Sequence, residues 1–111
     1  MRFIHLFTGD DGKSHVEPMT LESHPELGTL QATKGIQFRE LEAGYFYDWH
    51  TAPRKQFVIC LAGEMEIGLE DGSVHKLGAG DVLLAEDLKG KGHTMRTGNE
   101  TRIGATVPLE D

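Results

Sequence analysis

Imidazole, amide and guanidinium side chains stand at strand-like positions of this 111-residue chain. His50 ends one alternating segment, Gln56 begins a short apolar run, and His93 begins a later segment. Imidazole nitrogens and carboxylate oxygens are ligands that iron, manganese, nickel and zinc accept. Imidazoles and amides also hydrogen-bond small polar molecules. If the fold brings these residues together, they can serve either a metal ion or a polar ligand.

Two further side chains near these positions have two interpretations each. Alternation along the run that begins at Gln56 places Cys60 on the same face as the glutamine. Cys60 is then either a thiol in a pocket or a small core residue, and the second role is the commoner one. Arg54 follows Pro53 and either clamps a carboxylate through paired hydrogen bonds or faces solvent.

Short strands separated by turn residues are needed to position these groups. The alternation, the apolar runs and the glycine-containing turns predict strands over residues 2–8, 14–17, 36–41, 44–50, 56–62, 64–69, 73–77, 82–85, 93–96 and 102–108. Strands at this spacing indicate a sandwich or barrel, and fourteen glycines fit its many tight turns. Residues 1–34 have weaker periodicity and predict an irregular arm with short strands.

Composition and charge exclude several classes of protein. The apolar fraction of 38% and the charged fraction of 26% are typical of a globular domain, and the length suits one domain. A net charge of −7, with no basic cluster, argues against a nucleic-acid partner. No apolar run is long enough for a membrane span or a signal peptide, so we expect no membrane partner and a cytoplasmic location. The single cysteine fits a reducing compartment.

Three aromatic residues alternate on the segment that ends at His50. Tyr45, Tyr47 and Trp49 occupy every second position, so simple alternation places all three opposite to His50. The segment therefore predicts an outer aromatic face that packs against a partner or against residues 1–34.

Two spaced motifs resemble those of the cupin superfamily. The first family motif is G-x5-H-x-H-x3-E-x6-G, and this chain has Gly44, His50, Ala52, Gln56 and Gly63 at the corresponding positions. The spacings match, but alanine replaces the second histidine and glutamine replaces the glutamate.

The second cupin motif begins G-x5-P-x-G and ends at a histidine. Gly72, Gly78 and Gly80 match its spacing, with Gly78 in the place of proline, and His93 stands near the position of the histidine. The chain is also similar to a subgroup of small cupins with an Asp-Trp-His-x-Ala-Pro-Arg stretch, here residues 48–54, and a Gly-Lys-Gly-His stretch, here residues 90–93.

The resemblance implies an all-β, cupin-type double-stranded β-helix, or jelly-roll barrel, with a short N-terminal arm. One domain would span residues 1–111, with the arm at 1–34 and the barrel core at 35–108. The resemblance further implies a pocket that contains His50, Gln56 and His93, and the residues' own positions add Arg54 and Cys60 as candidate ligand-binding residues. His50, Gln56 and His93 are then the remaining candidates for metal ligands, and the metal would be iron, manganese, nickel or zinc.

The departures from the motif weaken the expected metal site. Two imidazoles and a neutral amide fall short of the ligand sets of typical zinc and non-haem iron centres. Asp48, Glu86 or Asp87 could supply the missing carboxylate. The other histidines, His5, His15, His24 and His75, lie outside both motifs, which favours ordinary surface or strand roles.

Three hypotheses for function follow from the resemblance. The first is a cupin barrel that binds a small polar or anionic ligand without an obligatory metal. The second is a metal-dependent enzyme, similar to a dioxygenase or an isomerase, that uses His50 and His93. The third is a dimerisation scaffold. The resemblance implies a homodimer, which is compatible with either of the other two hypotheses.

Overall fold

Two β-sheets contain nearly all of the regular structure in the computed structural model, which describes residues 1–110. Within that range the strands are β1 (Phe3–Thr8), β2 (Ser14–Met19), β3 (Gln37–Leu41), β4 (Phe46–His50), β5 (Gln56–Ala62), β6 (Glu64–Gly68), β7 (Val74–Gly78), β8 (Val82–Glu86), β9 (His93–Thr97) and β10 (Arg102–Pro108). One sheet has the order β2-β1-β8-β5-β10-β3, and the other has the order β4-β9-β6-β7. The all-β prediction is confirmed.

Most strand positions follow from alternation and turn residues. β5 and β10 have the predicted bounds, and the other strands start or end within about two residues of theirs. β4 begins later than predicted because Gly44, at a φ of 75°, closes a turn in which the Tyr45 amide donates to the Glu42 carbonyl. Nowhere in residues 1–110 does a helix reach the length and apolar character that crossing a bilayer requires.

The N-terminal strands are integral to the larger sheet. β1 lies between β2 and β8, antiparallel to the former and parallel to the latter. Residues 20–36 are irregular apart from a 3₁₀ turn (Pro25–Gly28). Leu27 of that turn covers a small outer cluster that includes Phe3, Phe57 and Leu84. The single-domain prediction extends to Asp111, which lies outside the described residues.

The main core lies between the two sheets. Its members come from both, and they include Leu6, Leu83 and Ala85 from the larger sheet and Met65, Ile67 and Leu77 from the smaller one. Each of the larger aliphatic side chains contributes about 1.5–3 kcal/mol through burial. At one end this core gives way to a cavity.

Candidate functional site

A cavity of about 140 Å³ opens between the two sheets. Its polar lining comes from strands of both sheets: Arg39, Tyr47, His50, Gln56, His93, Arg102 and Thr106. Val58, Ile67 and Leu83 supply apolar walls. The cavity thus joins both cupin-like motifs and adds two arginines that lie outside them.

His50 is held by its own strand. Its Nδ1 lies 2.7 Å from the Asp48 carbonyl oxygen, which can only accept, so Nδ1 donates and Nε2 remains available. Burial lowers the pKa of His50, and the nearby His93 lowers it further, whereas the hydrogen bond to Asp48 opposes the shift. His50 is therefore neutral at pH 7 and offers a lone pair.

His93 is held by a buried aspartate. Its Nδ1 lies 2.7 Å from Asp87 Oδ2, and the same oxygen accepts a 2.7 Å hydrogen bond from the Ser14 hydroxyl. Asp87 is fully buried, and the ring centroids of His93 and His50 are 4.4 Å apart. The structure therefore brings the two predicted histidines together, each anchored through Nδ1.

Tyr47 faces the same cavity as His50, which corrects the prediction of an outer aromatic face at this position. The pairing of β4 with β9 shifts register between Tyr47 and His50. Such a bulge reverses the side on which later residues point. The Tyr47 and His50 rings have centroids 4.0 Å apart. Tyr47 thus belongs to the site, and alternation alone placed it on the wrong face.

The two departures from the first motif, Ala52 and Gln56, both line the cavity. Ala52 is buried where the family motif has a second histidine. Gln56 lines the cavity, and its Oε1 atom is buried without a hydrogen-bond partner in residues 1–110. An amide oxygen in that state is an acceptor ready for a donor on a ligand.

Arg102 is a site residue that the sequence analysis missed. Its side chain lines the cavity and is 4% exposed, and its Nε atom has no hydrogen-bond partner within residues 1–110. Nη1 lies 2.6 Å from the sulfur of Met65, a weak acceptor. Burial lowers the pKa of Arg102, yet a guanidinium stays charged in proteins.

No carboxylate of residues 1–110 forms an ion pair with Arg102. Arg39, opposite Gly104 in the β3–β10 register, also lines the cavity and adds a second positive charge. A buried cation without an ion-pair partner is costly to the fold. The electrostatics of this wall therefore favour an anion in the cavity.

Arg54 and Cys60, both predicted to bind a ligand, lie apart from the residues that line the cavity. Arg54 is exposed on the bend between β4 and β5. Cys60 is fully buried, its thiol points towards the carbonyls of Ala62 and Gly63, and burial raises its pKa. The geometry of Cys60 matches the core-filling alternative.

The cavity does not fit the metal centre that the family motif implies. His50 and His93 have the anchored Nδ1 and free Nε2 of typical metal ligands. However, no third histidine, cysteine or carboxylate within residues 1–110 clusters with them. Asp87 contacts the Nδ1 atom of His93 and is not among the residues that line the cavity. Glu86 contacts His5, and Asp48 is exposed. The carboxylates suggested as replacements therefore do not complete the set.

Structural comparison gives the fold its name. A cupin-2 domain protein from Shewanella frigidimarina is 17% identical, with a TM-score of 0.51, and the match covers 83% of this chain and 94% of that one. A protein with a double-stranded β-helix domain from Klebsiella pneumoniae is 21% identical, with a TM-score of 0.50 and coverage of 70% and 73%. The chain has the cupin fold.

A third similar structure is a putative ethanolamine utilization protein Q from Salmonella typhimurium. It is 17% identical, with a TM-score of 0.53, and the match covers 98% of this chain and 95% of that one. Searches by sequence found no matching family model and no matching curated protein. Identities this low support the cupin fold and leave the activity to be argued from the site.

Proposed function

We propose that this cupin barrel binds a small anionic molecule, a hydroxycarboxylic acid or a close analogue, in the cavity between its sheets. The proposal rests on two buried polar atoms in the cavity lining, Arg102 Nε and Gln56 Oε1, that have no hydrogen-bond partner in residues 1–110. Buried polar atoms nearly always have a partner, and a ligand would supply both here.

The polarity of the site suggests the chemistry of the ligand. Arg102 and Arg39 offer donors and positive charge, which suit a carboxylate through paired hydrogen bonds. His50 Nε2 and Gln56 Oε1 are acceptors, which suit hydroxyl or amine hydrogens. A small molecule that has both a carboxylate and a hydroxyl group offers partners of both kinds.

The size of the cavity limits the ligand. A cavity of about 140 Å³ is close to one that accepts benzene, so we expect a ligand of about six to eight non-hydrogen atoms. Val58, Ile67 and Leu83 would contact its carbon skeleton. Lactate is within this limit, and lactamide has nearly the same shape without the charge.

The proposal is tested by titrating lactate, glycerate and 2-hydroxybutyrate into the protein, with calorimetry and thermal unfolding as readouts. We expect a hydroxy acid to bind and to raise Tm, and the matched amide not to do so. Arg102→Met should abolish binding, because it keeps the bulk and removes the charge. Arg96→Met, an exposed arginine outside the cavity lining, is the control.

Arg54→Met belongs in the same series, because a carboxylate clamp is one of the two interpretations of that residue. If binding survives this change and fails with Arg102→Met, the anion site is the one inside the barrel. Failure of all three acids to bind, or wild-type binding by Arg102→Met, would contradict the proposal.

A metal-dependent activity that uses His50 and His93 is the second candidate. The shared Nδ1 anchoring of the two rings supports it, since each presents Nε2 for ligation. Gln56 would be a weak third ligand, and a bound substrate would have to complete the shell. A metal in this place would supply Lewis-acid or oxygen chemistry of the dioxygenase or isomerase kind.

Metal content distinguishes the two candidates. Plasma mass spectrometry on untagged protein should be compared between wild type and the double variant His50→Ala, His93→Ala. We expect the same metal content in both. A near-stoichiometric metal that disappears only in the double variant would instead support the enzyme hypothesis.

A further inference from the structure

A second cluster of potential metal ligands lies outside the cavity, where β1, β2 and the irregular segment after β2 meet. His5, Glu17 and His24 each offer a ligand atom, and these atoms lie within 4.8 Å of one another. None of the three lines the cavity between the sheets. We propose that this cluster binds a divalent transition metal ion of the zinc type.

The pairing of β1 with β2 sets the first two ligands side by side. His5 and Glu17 are directly opposite in the register, so their side chains leave the sheet on the same face. His5 Nδ1 and Glu17 Oε1 are 2.9 Å apart. For an ion about 2.0–2.1 Å from each atom, the Nδ1–metal–Oε1 angle would be about 90°, which is compatible with a distorted zinc site.

The other ring nitrogen of His5 already has the partner that metal-bound histidines usually have. Nε2 contacts the carboxylate of Glu86, and Glu86 is in turn 3.6 Å from the Lys55 ammonium. A carboxylate on the far nitrogen fixes the ring orientation and raises the basicity of the ligating nitrogen. Phe7 stacks on the same ring at a centroid distance of 4.8 Å. His5 is therefore held in place from three sides.

His24 is supplied by a hydrogen-bonded turn that precedes the 3₁₀ turn. The Thr20 amide donates to the Ser23 hydroxyl, and the Ser23 amide donates to the Thr20 hydroxyl, each at 2.9 Å. His24 Nδ1 lies 2.8 Å from the Ser23 hydroxyl, which leaves Nε2 for the ion. The segment is irregular, so His24 is the ligand that can move inward, from a spacing of up to 4.8 Å to the roughly 3.3 Å that separates tetrahedral zinc ligands.

Two imidazoles and one carboxylate are the protein ligands of many zinc sites, and water completes the fourth position. The charge of Glu17 offsets that of the ion, and its side chain is 46% exposed, which gives the ion access from solvent. A proton on His5 would also satisfy both neighbouring carboxylates without any metal. The experiment has to separate these two occupants.

Zinc chloride should be titrated calorimetrically into untagged protein and into the cavity variant His50→Ala, His93→Ala. We expect one zinc ion per chain in both, with micromolar affinity. His24→Ala and Glu17→Gln, each introduced into the cavity variant, should weaken binding at least tenfold. His15→Ala is the matched control, because it removes a β2 histidine that pairs with Asp11 instead.

Zinc should also raise Tm and slow amide exchange in residues 20–29, because the ion ties that segment to the sheet. Both effects should vanish in His24→Ala, whose own Tm without zinc reports that it is folded. The proposal is overturned if zinc does not bind below millimolar concentration, or if both ligand variants bind within tenfold of the cavity variant. Neither result bears on hydroxy-acid binding inside the barrel.

Discussion

At the scale of single residues, the candidate site is defined by buried polar and charged atoms that have no hydrogen-bond partner in residues 1–110. Gln56 is at the position where the family motif has a glutamate, and it is neutral. Arg102 lines the same cavity without a carboxylate partner in residues 1–110. Its guanidinium is therefore available to an anion from solution.

Arg102→Met should stabilise the fold while it abolishes anion binding. The change removes a buried charge and keeps most of the side-chain volume. We therefore expect the free energy of unfolding to rise by about 1–3 kcal/mol relative to wild type. For a chain of this length, that raises Tm by about 4 °C per kcal/mol. Thermal unfolding of ligand-free protein measures the effect. A clear drop in Tm would mean that Arg102 has a structural role that its contacts do not reveal.

Asp81, at the turn between β7 and β8, makes a pH-dependent contribution to the stability of the folded protein. Burial alone would raise its pKa, but hydrogen bonds from the Gly78 and Arg2 amides, together with the Arg2 side chain, outweigh it, so the pKa is lowered. A carboxyl group with a depressed folded-state pKa stabilises the protein above its unfolded value of 3.8, and this stability is lost as the pH falls further.

Asp81→Asn should therefore destabilise the protein by about 1–3 kcal/mol at pH 7. The difference from wild type should shrink as the pH falls below about 3.8. Urea unfolding at several pH values gives the measurement. A difference that stays constant down to pH 3 would show that packing, and not charge, causes the loss.

At the scale of elements, the site depends on how β4 and β9 approach each other. Gly92 precedes β9 and has a φ of 82°, and a Cβ atom built there would overlap the backbone carbonyl of His50. The glycine therefore allows the chain carrying His93 to pass directly against the chain carrying His50. This close approach brings the two imidazoles within 4.4 Å between centroids.

Gly92→Ala should cost several times more stability than Gly44→Ala. Both glycines have positive φ, but a Cβ atom at position 44 would meet open space. We expect a loss of about 1 kcal/mol for Gly44→Ala, from backbone strain alone, and of about 3 kcal/mol or more for Gly92→Ala. Urea unfolding compares the two, and equal losses would mean that the contact with His50 relaxes without cost.

At the scale of the whole molecule, the larger sheet has an apolar outer face that no part of residues 1–110 covers. Phe38, Leu61 and Ile103 lie there with exposures of 65%, 48% and 40%. They belong to β3, β5 and β10, and β3 is an edge strand. We propose that a second copy of the chain packs on this face, in line with the homodimer that the resemblance implies.

Phe38→Glu should convert a dimer into a monomer in light scattering coupled to size exclusion. Leu30→Glu is the matched control, because Leu30 is fully exposed in the irregular segment between β2 and β3, outside this face. The proposed face differs from the aromatic strand that the sequence predicts as a partner surface, because Tyr47 of that strand lines the cavity. A monomeric wild type at micromolar concentration would refute the dimer.

Local sequence patterns are enough to predict the strands, their turns and the two motifs whose residues His50, Gln56 and His93 line one cavity. Alternation and turn glycines each involve only a few adjacent residues. Three features could not be predicted in this way: the bulge that turns Tyr47 towards the cavity, the presence of Arg102 and Arg39 in the cavity lining, and the clustering of His5 with Glu17 and His24. These features depend on which distant strands pair and in which register, and a single sequence does not encode that pairing in any local pattern.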